Sequence, residues 1–84
     1  MSGAKTRRGL PIGPEQCRMA RAALRMTIAE LAERAGVSPA TISRLENDHP
    51  CGPGDALGRI RTALESRGII FIDGGSPGVQ LRKL

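Results

Sequence analysis

The sequence predicts a mainly α-helical chain, four short helices followed by a C-terminal β-hairpin, and three observations carry that expectation. Up to Arg67 the apolar residues recur three and four positions apart, the period of a helix with one buried face. After Gly68 the pattern changes to a β-branched and aromatic run, Ile69-Ile70-Phe71-Ile72, then a loop from Asp73 to Gly78, then the alternating Val79-Gln80-Leu81-Arg82. Between Thr27 and Asn47, start and stop signals for two helices lie only a few residues apart.

Residues 1–13 are polar, basic and rich in glycine and proline, without either period, and are expected to form a disordered basic arm. Helix 1 is expected from Pro14 to about Arg25, because proline suits a first turn and Glu15 lies at the positive end of the helix dipole. Cys17, Ala20 and Leu24 form its apolar stripe, with Met19 and Ala23 at the edges. Arg18, Arg21 and Arg25 lie near one another on it, on a face that is either solvated or turned to phosphate.

Thr27 starts helix 2 with a capping box, Thr27-x-x-Glu30, in which hydroxyl and carboxylate satisfy each other's orphan backbone donors. Ile28, Leu31, Ala32 and Ala35 face a common core, and Gly36 supplies the left-handed conformation that ends the helix. Ser38 caps helix 3, with Pro39 at its first position, where a missing N–H costs nothing. Ile42 and Leu45 continue the same core. Two short helices joined by such a turn make a helix-turn-helix. The segment NDHPCGPGD is dense in turn-formers, and helix 4 follows from about Asp55 to Arg67, burying Leu57, Ile60 and Leu64.

The hairpin strands differ. The second is apolar on one face only, whereas the first is apolar on both and needs cover on both sides. Helices 1 and 4 can cover one face, so Ile70 and Ile72 are expected to meet a partner subunit or another protein. Residues 14–67 then form the helix-turn-helix domain, and residues 68–84 a hairpin for dimerisation or partner binding.

Composition narrows the function. With 84 residues, one aromatic residue (Phe71) and no Trp or Tyr, the chain can build only a small aliphatic core. No apolar run approaches the roughly 18 residues of a membrane span and no hydrophobic leader is seen, so a cytoplasmic protein is expected. Two cysteines, Cys17 and Cys51, are too few for a disulfide framework, and Cys17 reads as a small buried hydrophobe. His49-x-Cys51 matches no zinc-ligand spacing, so neither metal nor cofactor is expected. The net charge of +5 is uneven: +3 in residues 1–13, carried by Lys5, Arg7 and Arg8, +1 over residues 14–67 and +1 beyond. Attraction to phosphate must therefore come from the arm and a local patch. One histidine, no nucleophile beside a base and no phosphate-cradling glycine loop argue against an enzyme or a small-molecule substrate.

Over Pro14 to Arg67 the chain resembles the lambda-repressor-like, Cro-type helix-turn-helix regulators, the xenobiotic-response-element family. Leu31, Ala32, Gly36, Val37, Ile42, Leu45 and Glu46 stand in the family's signature positions. The resemblance implies an ion pair between Arg21 and Glu46 that braces helix 1 against helix 3. It also implies that helix 3, Pro39 to Asn47, enters the major groove of double-stranded DNA. With Ile42 and Leu45 in the core, Pro39, Ala40, Thr41, Ser43, Arg44 and Asn47 face outward. Arg44 is the best base reader, able to fork onto guanine O6 and N7; Ala40 suits a thymine methyl, and Ser43 a base edge or phosphate. Thr27, Ser38, Thr41 and Asn47, with the backbone N–H groups at helix starts, suit phosphates. Many relatives carry glutamine where this chain has Ile28, which removes one contact to DNA.

The reading that follows is a sequence-specific DNA-binding transcriptional regulator, a repressor acting as a homodimer, with Arg7 and Arg8 reaching an adjacent minor groove. The alternative is a protein-binding antiactivator or antitoxin that sequesters a second regulatory protein. Ile28 and the exposed face at Ile70 and Ile72 suit that alternative.

Overall fold

The computed structural model describes residues 12–50, 55–73 and 75–82. In order come α1 (Pro14–Leu24), α2 (Ile28–Ala35), α3 (Pro39–Glu46), α4 (Ala56–Glu65), β1 (Ile69–Ile72) and β2 (Gly78–Leu81). Four helices and a two-stranded antiparallel ribbon thus stand in the expected sequence.

Local chemistry sets most of the boundaries. The Thr27 hydroxyl accepts the Glu30 N–H at 3.0 Å, and the Glu30 carboxylate accepts the Thr27 N–H at 2.8 Å. At the other end of α2, Gly36 adopts φ 73 and returns its N–H to Ala32 O at 2.9 Å, so the chain turns after a single left-handed residue. Ser38 Oγ accepts the Thr41 N–H at 3.2 Å and starts α3 with Pro39 in its first turn. α4 is shorter than expected: Asp55 pairs with Arg59 at 3.2 Å instead of capping, and Ser66 to Gly68 form a turn.

α2 packs against both α3 and α4, and α1 packs against both α3 and β2. Leu31, Ile42, Ile60, Leu64 and Cys17 are fully buried at the centre. Ile12 joins them at 1% exposed, which corrects the expectation that the disordered arm extends through residue 13. Gly13 is the N-cap of α1, so the side chain just before it is drawn under the bundle. Residues 1–11, and with them Lys5, Arg7 and Arg8, lie outside the described residues.

In the ribbon, Ile69 pairs with Leu81, Ile70 with Gln80, Phe71 with Val79 and Ile72 with Gly78. Ile69 and Phe71 point into the core, and Arg61 of α4 lies over the Phe71 ring at 4.8 Å from its centroid, a cation–π contact. Ile70 and Ile72 point the other way and are 37% and 39% exposed. The ribbon is therefore covered on one face, by α1 against β2 and α4 against β1. Gly68 swings the chain from α4 into β1 at φ 98. A side chain there would meet Arg82 O at 3.2 Å, where the backbones also join through Arg82 N–H to Gly68 O at 2.8 Å.

Candidate nucleic-acid interface

α3 shows two different sides. Inward, Ile42 and Leu45 are buried. Outward, Pro39, Ala40, Arg44 and Asn47 are exposed along with the cap Ser38, while Thr41 and Ser43 are half-buried. Ser43, Arg44, Asn47 and His49 line a shallow recess of about 420 Å³.

Much of the polar chemistry on this surface is already engaged in holding the helices. Thr27 is spent in its capping box, Ser38 Oγ and Thr41 Oγ1 lie 3.0 Å apart, and the Asn47 amide donates to Ser43 O at 2.8 Å. The Arg44 guanidinium has no hydrogen bond or ion pair among the described residues. It projects from a fixed helix with all its donors unused.

What fixes the helix is a cluster at its last residue. Glu46 is 6% exposed, and its carboxylate takes a two-pronged contact from Arg21: Nε to Oε2 at 2.6 Å and Nη2 to Oε1 at 2.7 Å. Arg21 Nη1 also donates to Met26 O at 3.0 Å, tying in the α1–α2 turn. Cys17 Sγ donates to Oε2 at 3.1 Å, and Arg18 Nη1 donates to the Glu46 carbonyl oxygen. A carboxylate, a C-terminal carbonyl and three donor residues from two adjacent turns of α1 thus close on one point, with fork geometry that suits charge-assisted bonds.

The cluster's titration follows from this geometry. Burial alone would raise the Glu46 carboxyl, but the bonds from Arg21 and Cys17 and the charges of Arg21 and Arg18 hold it below its ordinary value. The same contact with Glu46 raises Arg21 against the opposing effect of its burial. Burial, then the Glu46 bond, pushes the Cys17 thiol far up, so it stays protonated as a donor.

The Arg21–Glu46 pair thus forms as the resemblance implies. The arginines of α1 do not share one face turned to solvent or phosphate: Arg18 and Arg21 reach to Glu46, while Arg25, left-handed at φ 55, lines a separate recess with Glu30, Glu33, Arg34 and Arg67. Cys17 is a buried small side chain, as expected, and also a hydrogen-bond donor to the brace. Sequence reasoning missed Gln16, whose 1%-exposed side chain bonds to Gly13 before α1 and to both strands of the ribbon. Its position at the third residue after the Gly13 cap was the one available signal.

A short outward helix held by the helices behind it is the arrangement of a helix-turn-helix protein. A helix-turn-helix family model matches residues 18–68, more than half of the chain, and the chain belongs to the lambda-repressor/Cro-like helix-turn-helix family. It is a protein of the DNA-binding transcription-regulator kind, a family that is not typically enzymatic. A comparison with curated proteins finds no match. No helix among the described residues is long and apolar enough to cross a membrane.

Proposed function

We propose that the protein is a repressor that binds a specific operator in the cytoplasm as a homodimer, with α3 in the major groove. The observation that carries this is Arg44: a guanidinium unpaired among the described residues, on the exposed side of a helix whose last turn is clamped at Glu46. Such a group can fork onto a guanine, and the clamp spares it the entropy of positioning. Ser38, Ser43, Asn47 and the N-terminal N–H groups of α2 at Thr27 flank it toward the phosphates. Ala40 offers a methyl contact, and Lys5, Arg7 and Arg8 supply charge for a neighbouring minor groove. One module this small makes few contacts; two joined through Ile70 and Ile72 would read half-sites about 34 Å apart, one turn of DNA.

The test begins with duplexes selected by the protein from a random pool. Binding should fall steeply as salt rises. Arg44→Ala should lose about 1–3 kcal/mol of discrimination at one base pair while keeping non-specific affinity. Absence of any salt-dependent duplex binding would end this reading. A salt-insensitive complex with a second regulatory protein, abolished by Ile70→Asp, would establish the antiactivator or antitoxin reading that the exposed apolar strand face favours.

A further inference from the structure

Among the described residues Gln16 is the one fully buried polar side chain outside the Glu46 cluster, and its donor bonds are long-range. Its Oε1 accepts the Gly13 N–H at 3.0 Å, completing the start of α1. Its Nε2 donates to Ile72 O at 2.9 Å, to Asp73 Oδ1 at 3.2 Å and to Gly78 O at 3.3 Å. Ile72 and Gly78 are partners across the ribbon, the last pair before its loop. One amide therefore pins both strands of the hairpin to α1, sharing two N–H bonds among three acceptors.

The next residue in the chain is Cys17, which donates to Glu46, and Arg18 and Arg21 follow within two turns. α1 is only eleven residues long, so both attachments fall within the six residues from Gln16 to Arg21. The hairpin is fastened to α1 at Gln16, and α3 is fastened to α1 at Cys17, Arg18 and Arg21. The outer face of the hairpin, Ile70 and Ile72, thus stands in a fixed relation to the outer face of α3. Among the described residues no buried side-chain N or O is left without a partner. Losing the Gln16 donor would leave the Ile72 and Gly78 carbonyls short of a bond and let that end of the ribbon pivot about Gly68.

We propose that Gln16 is a specificity-determining positioning residue: by locking the hairpin to α1 it sets the distance and angle between the two α3 helices, and hence the half-site spacing the dimer accepts. This rests on the homodimeric reading above. Gln16 touches no DNA in this scheme and acts only through the hairpin.

Gln16→Glu isolates the effect, since a glutamate still accepts the Gly13 N–H but cannot donate to three oxygens. Gln16→Met removes the donor without adding charge and serves if the glutamate disturbs folding, as judged by circular dichroism. Wild type and variants are titrated onto duplexes selected by the wild type: a single half-site, the paired site, and paired sites with one or two base pairs inserted or removed. The expected result is single-site affinity within twofold of wild type, paired-site affinity at least tenfold weaker, and a flattened dependence on spacing. A variant that keeps the wild-type paired-site affinity and spacing profile overturns the inference. So does an equal loss on the single half-site, which assigns Gln16 to the stability of α1 alone. If the wild type itself shows no preference for paired over single sites, the dimeric reading fails first, and that outcome is distinct from the other two.

Discussion

The two sides of α3 are built on opposite terms. At its end and inner side, Glu46, Ile42 and Leu45 are buried, and each prong of the carboxylate meets a donor. On its outer side, Arg44 is exposed and unpaired among the described residues, in a surface that includes a proline, an alanine and the cap-engaged side chains of Ser38 and Asn47. The inner side supplies rigidity, and the outer side leaves one strong hydrogen-bonding group open to solvent. On the reading proposed above, stability and recognition fall to different residues within one eight-residue helix, and substitutions should separate them.

The widest separation is expected at Ile42, which is fully buried between α3 and the rest of the core. Ile42→Ala should cost about 2–5 kcal/mol by lost burial and residual cavity. In a domain of this size that lowers Tm by roughly 4–8 °C per kcal/mol, read by thermal denaturation. A loss under 1 kcal/mol would mean that the inner side of α3 is not part of a packed core.

Glu46→Ala comes next, at about 2–3 kcal/mol by urea denaturation, since it strands the Arg21 guanidinium and the Cys17 thiol while Arg21 retains some access to water. The pH dependence has a definite sign. The Glu46 carboxyl is held below its ordinary value in the folded state, so the folded protein binds fewer protons than the unfolded chain in the acid range. Its contribution is complete above the unfolded carboxylate value of about 4.3 and is lost as pH falls through the lower folded value. Glu30, lowered by its backbone bond to Thr27, acts in the same direction from an exposed site. Glu46→Gln should therefore flatten the acid limb of stability against pH; an unchanged limb would remove Glu46 from the brace. Smallest is Arg44→Ala, within about 0.5 kcal/mol of wild-type stability because nothing in the fold leans on it. A larger loss would break the division between the two sides.

Much of this organisation is legible from local sequence because its causes are local. Thr27 with Glu30, Gly36, and Ser38 with Pro39 act over three or four residues, and the helix boundaries follow them. The outward positions of α3 follow from its period, so Arg44 is readable in advance. What escapes is what depends on distant partners. The Gln16 amide meets oxygens 56 to 62 residues away, and nothing near it in sequence announces them. Ile12 sits alone in a stretch without period, and only the assembled bundle shows the space that it fills. Arg18 and Arg21 share a spacing with Arg25 that mimics a basic face, whereas their direction is set by Glu46, 28 and 25 residues on.

The thiol at Cys17 has a kinetic consequence. It is wholly buried and protonated, with its hydrogen directed at Glu46 between α1 and α3, so a disulfide reagent reaches it only after those helices part. In a Cys51→Ser background, the labelling rate of Cys17 measures how often that single junction opens, a quantity that a melting curve averages away. Glu46→Ala should accelerate labelling at least tenfold, and a duplex gripped by α3 should slow it. The helix that is proposed to read DNA thus carries its own clock, set by how tightly its last turn is held.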